Sequence, residues 1–144
     1  MNSLIFSVMV RYLRPILGVL ALWLLLRGHN APGGGFVAGL IAASAVILQV
    51  LSRGWQSLPI ILRENLFELA GVGLAISAFS GTLSMILGNP FMTGRWTSFG
   101  GIKFGTPVLF DIGVFIVVFA VVILCAGFLL KEEEEENSQI GENK

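Results

Sequence analysis

The sequence predicts an all-α integral membrane protein, a bundle of four transmembrane helices, and three observations carry that reading. Hydrophobic residues make up 55% of the 144 and the mean hydropathy is +0.85, beyond what a water-soluble domain of this length shows. The apolar residues gather into runs long enough to cross a hydrocarbon core, which takes about 20 residues for about 30 Å. The basic residues gather at the ends of those runs, as they do at membrane boundaries.

The first span, residues 11–27, is the least regular. Its uninterrupted apolar part, Pro15 to Leu26, is only twelve residues. It reaches spanning length if Arg11 and Arg14 snorkel to the headgroups from the first turns of the helix. Met1 to Val10 then lies at the interface or extends the same helix. No A-x-A-like cleavage site follows, so the segment does not read as a cleaved leader. The second span, residues 34–52, rests on the apolar run Gly33 to Leu51. The third, residues 66–87, contains Leu69 to Leu87. The fourth, residues 107–130, contains the uncharged run Ile112 to Leu130 and opens on Thr106-Pro107, a cap followed by proline at the first helical position. Trp55 and Trp96 fall in connectors, where interfacial indoles are common. The third connector, Gly88 to Gly105, is rich in turn residues (Asn89-Pro90, Thr93-Gly94, Gly100-Gly101) and reads as an ordered loop or a short re-entrant piece.

Residues 1–130 form one transmembrane domain and 131–144 an acidic tail. Seven Lys and Arg against three acids give the domain a charge of +4, whereas the tail carries −4. Glu132 to Glu136 in a row predict a solvated, disordered end. Arg11, Arg14, Arg53, Arg63, Lys131 and Lys144 lie on the side of the termini, against Arg27, Arg95 and Lys103 opposite. This asymmetry places both termini in the cytoplasm.

The connector between the first two spans, Arg27-Gly28-His29-Asn30-Ala31-Pro32-Gly33-Gly34-Gly35-Phe36, holds the single histidine and four of the 18 glycines. Glycines this dense allow positive φ and close approach. Irregular backbone at membrane depth is tolerated only where protein buries it or where it lines a watery cavity. His29, beside Arg27 and Asn30, either shuttles protons or fixes the turn by bonding loop carbonyls. Small residues form two stripes, Gly35, Gly39 and Ala43 on the second span and Gly73, Ser77 and Gly81 on the third. Such stripes serve packing within the bundle or docking onto other membrane subunits.

Three acids lie near the membrane. Glu64 and Glu68, four apart, share a helix face at the start of the third span, with Arg53 and Arg63 near enough to neutralise them. Asp111 lies one turn into the fourth span. Each reads as an acid favoured by a helix N-terminus or as a cation or proton ligand. The topology puts Glu68 and Asp111 at opposite ends, so they do not form one site. One histidine and the lone Cys125 leave the chain short of ligands for haem, iron–sulfur or zinc. There is no phosphate-binding loop and no hydrolase triad or carboxylate pair. Catalytic residues, a bound metal, a cofactor and a nucleic-acid partner are not expected.

Arg27-Gly28-His29-Asn30-x-Pro32-Gly33-Gly34-Gly35-Phe36, followed by Gly39-Leu40-Ile41-Ala42-Ala43, resembles the B subunits of the Mrp-type multisubunit cation/proton antiporters, the MnhB/MrpB domain family. Pro90-Phe91-Met92-Thr93-Gly94-x-Trp96 and Gly105-Thr106-Pro107-x-Leu109-Phe110-Asp111-Ile112-Gly113-Val114 are similar to the same family's third connector and fourth span. The resemblance covers residues 10 to 130. It implies a small four-helix subunit of a hetero-oligomeric complex in a prokaryotic cell membrane. Such a complex exchanges cytoplasmic Na⁺, in some systems K⁺ or Li⁺, for external H⁺ at the expense of the proton gradient. The obvious intramembrane Lys and Glu relays belong to larger subunits. The chain is then a required, non-autonomous part. Its connector serves inter-subunit packing around a hydrated path, and Glu68, Asp111, His29 and Glu64 are candidates for contact with ions or protons. Two alternatives stay open. One is the ion-translocating module of a membrane-bound hydrogenase or related redox complex, where the same domain type occurs. The other is a purely structural assembly role without ion contact.

Overall fold

The structure, a computed structural model, describes residues 4–27, 34–86, 96–99 and 102–142. Helix α1 runs Leu4–Arg27 and α2 runs Gly35–Arg53. A 3₁₀ turn (Trp55–Ser57) and a short helix α3 (Ile60–Glu64) lead to α4 (Leu66–Ile86). Two strands, β1 (Trp96–Phe99) and β2 (Ile102–Gly105), precede α5 (Thr106–Glu142). Leu4–Arg27, Gly35–Arg53, Leu66–Leu83 and Thr106–Leu130 are each long and apolar enough to cross a membrane. α1 packs on α2, α2 on α5, and α5 on α4, so α2 and α5 form the middle of the bundle.

The surface follows from that order. α1 buries only Val10 and Ala21, and leaves Leu13, Ile16, Val19 and Trp23 exposed. So broad an apolar face marks contact with lipid or protein rather than water. α2 instead buries a face of small residues, Gly35, Ala38, Gly39, Ala43 and Ala45, followed by Gln49 and Val50. The core lies towards the end where α2 stops and α4 starts: Ala43, Val50, Leu58, Leu66, Ala120 and Ile123, with Trp55, Leu62 and Phe119 packed against it.

The chain between α2 and α4 is pinned to that core. Gly54 turns at φ 82°, a conformation that favours glycine, and its N–H donates to Val50 O at 2.7 Å. Gln49 Nε2 donates to Ser57 O at 3.0 Å, which satisfies a buried amide. The Trp55 ring lies against Gly127 of α5, where any Cβ would run into the indole.

α1 begins at Leu4, so the residues before 11 extend the same helix, one of the two expected arrangements, and Arg11 and Arg14 sit inside it. Three features differ from the expectations. Between Glu64 and Glu68 the helix breaks at Asn65 (φ −107°, ψ 18°), so the two acids are not on one regular helix face. The third connector contains a hairpin, with Trp96 opposite Gly105 and Phe99 opposite Ile102. Short β-rich segments flanking Gly100-Gly101 are the sequence mark of such pairing. The acidic run does not end in coil: α5 continues through it to Glu142, 37 residues in all. Glutamate is a strong helix former, and a helix already nucleated in the bundle needs only to be extended.

Candidate functional site

The site forms at the end of the bundle where α1 stops and α2 and α5 start. Gly34 caps α2 at φ 93° and ψ −179°, a region essentially confined to glycine. Its N–H donates to Leu24 O of α1 at 3.4 Å, and its carbonyl accepts from Ala38 N at 3.1 Å. The cap therefore ties the end of α1 to the start of α2.

Across from the cap lies Asp111 of α5. A Cβ placed on Gly34 would stand 3.5 Å from each of the two Asp111 carboxylate oxygens. One placed on Gly35 would overlap the Asp111 main-chain carbonyl and come 2.9 Å from Phe115 N. One turn on, Gly39 is equally close to α5, with Phe115 O at 2.9 Å and the Val118 side chain at 3.0 Å from its Cβ position. The glycines let α2 approach the backbone of α5 so closely that the half-buried carboxylate rests against the first turn of α2. That turn carries N–H groups without intrahelical partners and the positive end of the helix dipole. Such an end is a natural seat for an anionic group.

α4 holds the opposite face of α5. A Cβ on Gly73 would lie 2.8 Å from Gly113 O, and one on Gly113 would overlap Ser77 Oγ. The buried Ser80 Oγ donates to Thr106 O at 2.7 Å, and Ser77 Oγ donates to Phe110 O at 3.5 Å. These hydroxyls find acceptors on carbonyls in the first turns of α5, just before and beside Asp111. Ser80 is the one residue here that sequence reasoning missed; its signal was a position three residues after Ser77, on the same helix face.

The sequence candidates separate accordingly. Gly34, Gly35 and Asp111 come together. Gly35, Gly39 and Ala43, which sequence alone could equally assign to a neighbouring subunit, are used within the chain. For the two glycines the reason is steric, because α5 occupies the space a Cβ would need, and Ala43 is buried in the core with Ala120 and Ile123 of α5. Phe36, at 57% exposure, faces outwards. The Arg27 guanidinium lies 4.7 Å from the centre of the Trp23 ring, a cation–π contact that steers it back along α1. Glu64 and Glu68 are exposed at the far end, and among the described residues neither is paired with Arg53 or Arg63. Gly28, His29, Asn30, Pro32 and Gly33 lie outside the described residues, as do Pro90 to Gly94.

Residues 5–124 match the family model of a domain related to the MnhB subunit of the Na⁺/H⁺ antiporter. The chain belongs to the MnhB family. Within that family it is 33% identical to the B subunit of a Na⁺/H⁺ antiporter from Bacillus subtilis, over 92% of this chain and 96% of that one. It is 35% identical to a combined A/B subunit of a probable K⁺/H⁺ antiporter from Rhizobium meliloti, over 82% of this chain but 12% of that much longer one. Among solved structures, a chain of the Mrp complex from a Dietzia species superposes with a TM-score of 0.72 at 26% identity. That match covers 85% of this MnhB-family chain and 13% of the Dietzia chain. The same four-helix unit thus occurs both as a small part of a larger polypeptide and as a separate subunit.

Proposed function

We propose that this chain is a non-autonomous subunit of a multisubunit monovalent cation/proton antiporter in a prokaryotic cell membrane. It is a transporter subunit rather than an enzyme. Na⁺, with K⁺ or Li⁺ as alternatives, exchanges for H⁺ through the assembled complex, and both termini face the cytoplasm. The junction of Asp111 with the α2 N-terminus is this chain's contribution to the ion or proton path, and the Gly-rich connector serves inter-subunit packing.

The observation that carries the reading is the placement of Asp111. Of the three acids in residues 1–130, it alone is drawn into the bundle, against a helix end, while Glu64 and Glu68 face outwards. A carboxylate at membrane depth is costly unless it serves a purpose. Family membership supplies the kind of complex. One carboxylate cannot make an exchanger, which agrees with dependence on larger partner subunits.

The test is Na⁺-dependent proton exchange in everted vesicles from antiporter-deficient cells, comparing the whole operon, the operon lacking this chain, and this chain alone. Exchange only with the intact set supports the proposal. Exchange by the chain alone, or exchange unaffected by its deletion, overturns it. Absence of exchange with the intact set turns the assignment towards the redox-coupled complexes.

A further inference from the structure

At the opposite end from Asp111, α1 and α2 enclose an open cleft of about 480 Å³. Its walls carry Arg11 and Arg14 from α1 and Arg53 from α2, with Pro15, Gly18 and Gln49 further in. The two helices are antiparallel neighbours. Residues 11 to 18 on α1 and 53 to 49 on α2 therefore run in the same direction, from the end of the bundle towards its middle. At 1.5 Å per residue, Gly18 lies about 10 Å deeper than Arg11, and Gln49 about 6 Å deeper than Arg53. The cleft is thus graded, with three guanidinium groups at the mouth and an uncharged floor. Nothing lies within 4 Å of a Cβ position on Gly18, so the floor is open. The neighbouring α1 surface, Leu13 and Ile16, is apolar and exposed.

The three arginines are exposed, and among the described residues none of them is engaged with an acid. Arg53 also borders a second opening of about 700 Å³, shared with Arg63 and Trp55. Four cations and an indole therefore ring one end of the bundle. Guanidinium groups match phosphate oxygens in a bidentate fashion, and basic pockets between spanning helices suit acidic headgroups.

We infer that the α1–α2 cleft is a binding site for an anionic phospholipid. The phosphodiester headgroup sits among Arg11, Arg14 and Arg53, and an acyl chain lies along the Pro15–Gly18 floor and the exposed face of α1. The gradation from charge to apolar surface favours a lipid over an acidic peptide, which would need cationic partners along its whole length.

The test uses the assembled complex in native membranes. A phosphatidylglycerol with a diazirine on its acyl chain is added, in parallel with the phosphatidylcholine analogue. After illumination, labelled peptides of this chain are identified by mass spectrometry. The site predicts label on the α1 peptide around Pro15 to Gly18 from phosphatidylglycerol and several-fold less from phosphatidylcholine. Replacing arginine by glutamine at 11, 14 and 53 lowers the phosphatidylglycerol label about fivefold per residue. Arg14→Gln alone, a single change at an exposed residue of the cleft wall, guards against a folding defect in the triple variant. Arg27→Gln, at the other end of the bundle, leaves the label unchanged, and excess inorganic phosphate does not compete. Equal labelling by the two lipids, retention of label in both the single and triple variants, or absence of label because a neighbouring subunit covers the cleft would each overturn the site.

Discussion

The two faces of α5 are packed by similar means to different ends. Towards α2, Gly35 and Gly39 bring one backbone against another around a carboxylate. Towards α4, Gly73 and Gly113 do the same around two serine hydroxyls. The hydroxyls donate to α5 carbonyls and close their own hydrogen-bonding requirement inside the bundle. The Asp111 carboxylate instead lies against the first turn of α2, 3.5 Å from the Cβ position of Gly34. The α4 face therefore reads as a permanent seam, and the α2 face as a seam that also holds a charge-bearing group.

Replacing Gly35 by Ala should do the most damage, because its Cβ overlaps the Asp111 carbonyl and neither helix can yield without losing the other's contacts. A loss on the order of 3 kcal/mol is expected, visible as depletion of the chain from membranes. Gly113→Ala should cost a comparable amount through the Ser77 contact, and a much milder effect there would make the α2 face the stricter of the two. Asp111→Asn nearly preserves shape and should leave assembly intact while lowering antiport at least about tenfold, read in the vesicle assay. Full activity in an assembled Asp111→Asn complex would reduce the α2 face to a second seam. Ser80→Ala should cost about 1 kcal/mol in thermal stability with antiport retained. The smallest effect belongs to Gly71→Ala. Two residues from Gly73, it has nothing within 4 Å of its Cβ position, so the change should be neutral or stabilise by a few tenths of a kcal/mol.

The four spans were legible in the sequence because spanning length and apolarity are local properties. The small-residue stripes were legible too, but not their partner. Nothing in Gly35-x-x-x-Gly39 says whether the approaching backbone belongs to the same chain, and only the fold shows that it is α5. The pairing of Gly34 with Asp111 was out of reach for the same reason: the two residues are brought together by tertiary packing alone. Glu64 and Glu68 misled through their spacing, which assumed an unbroken helix across Asn65. The acidic run was read from charge repulsion, whereas helix propensity and the bundle below it decided its backbone. The α1 boundary stayed open in the sequence because two arginines resemble an end, and they prove to be side chains on a longer helix.

The length of α5 has one more consequence. At 37 residues it measures about 55 Å, against a hydrocarbon core of about 30 Å. The carboxylate of Asp111 and the glutamate run therefore ride on one continuous shaft, anchored near its middle by Ala120 and Ile123. Gripped also at Thr106, Gly113 and Gly127, the shaft joins the seat of Asp111 to the glutamate run, and a tilt of about 5° would displace one end relative to the other by about 5 Å.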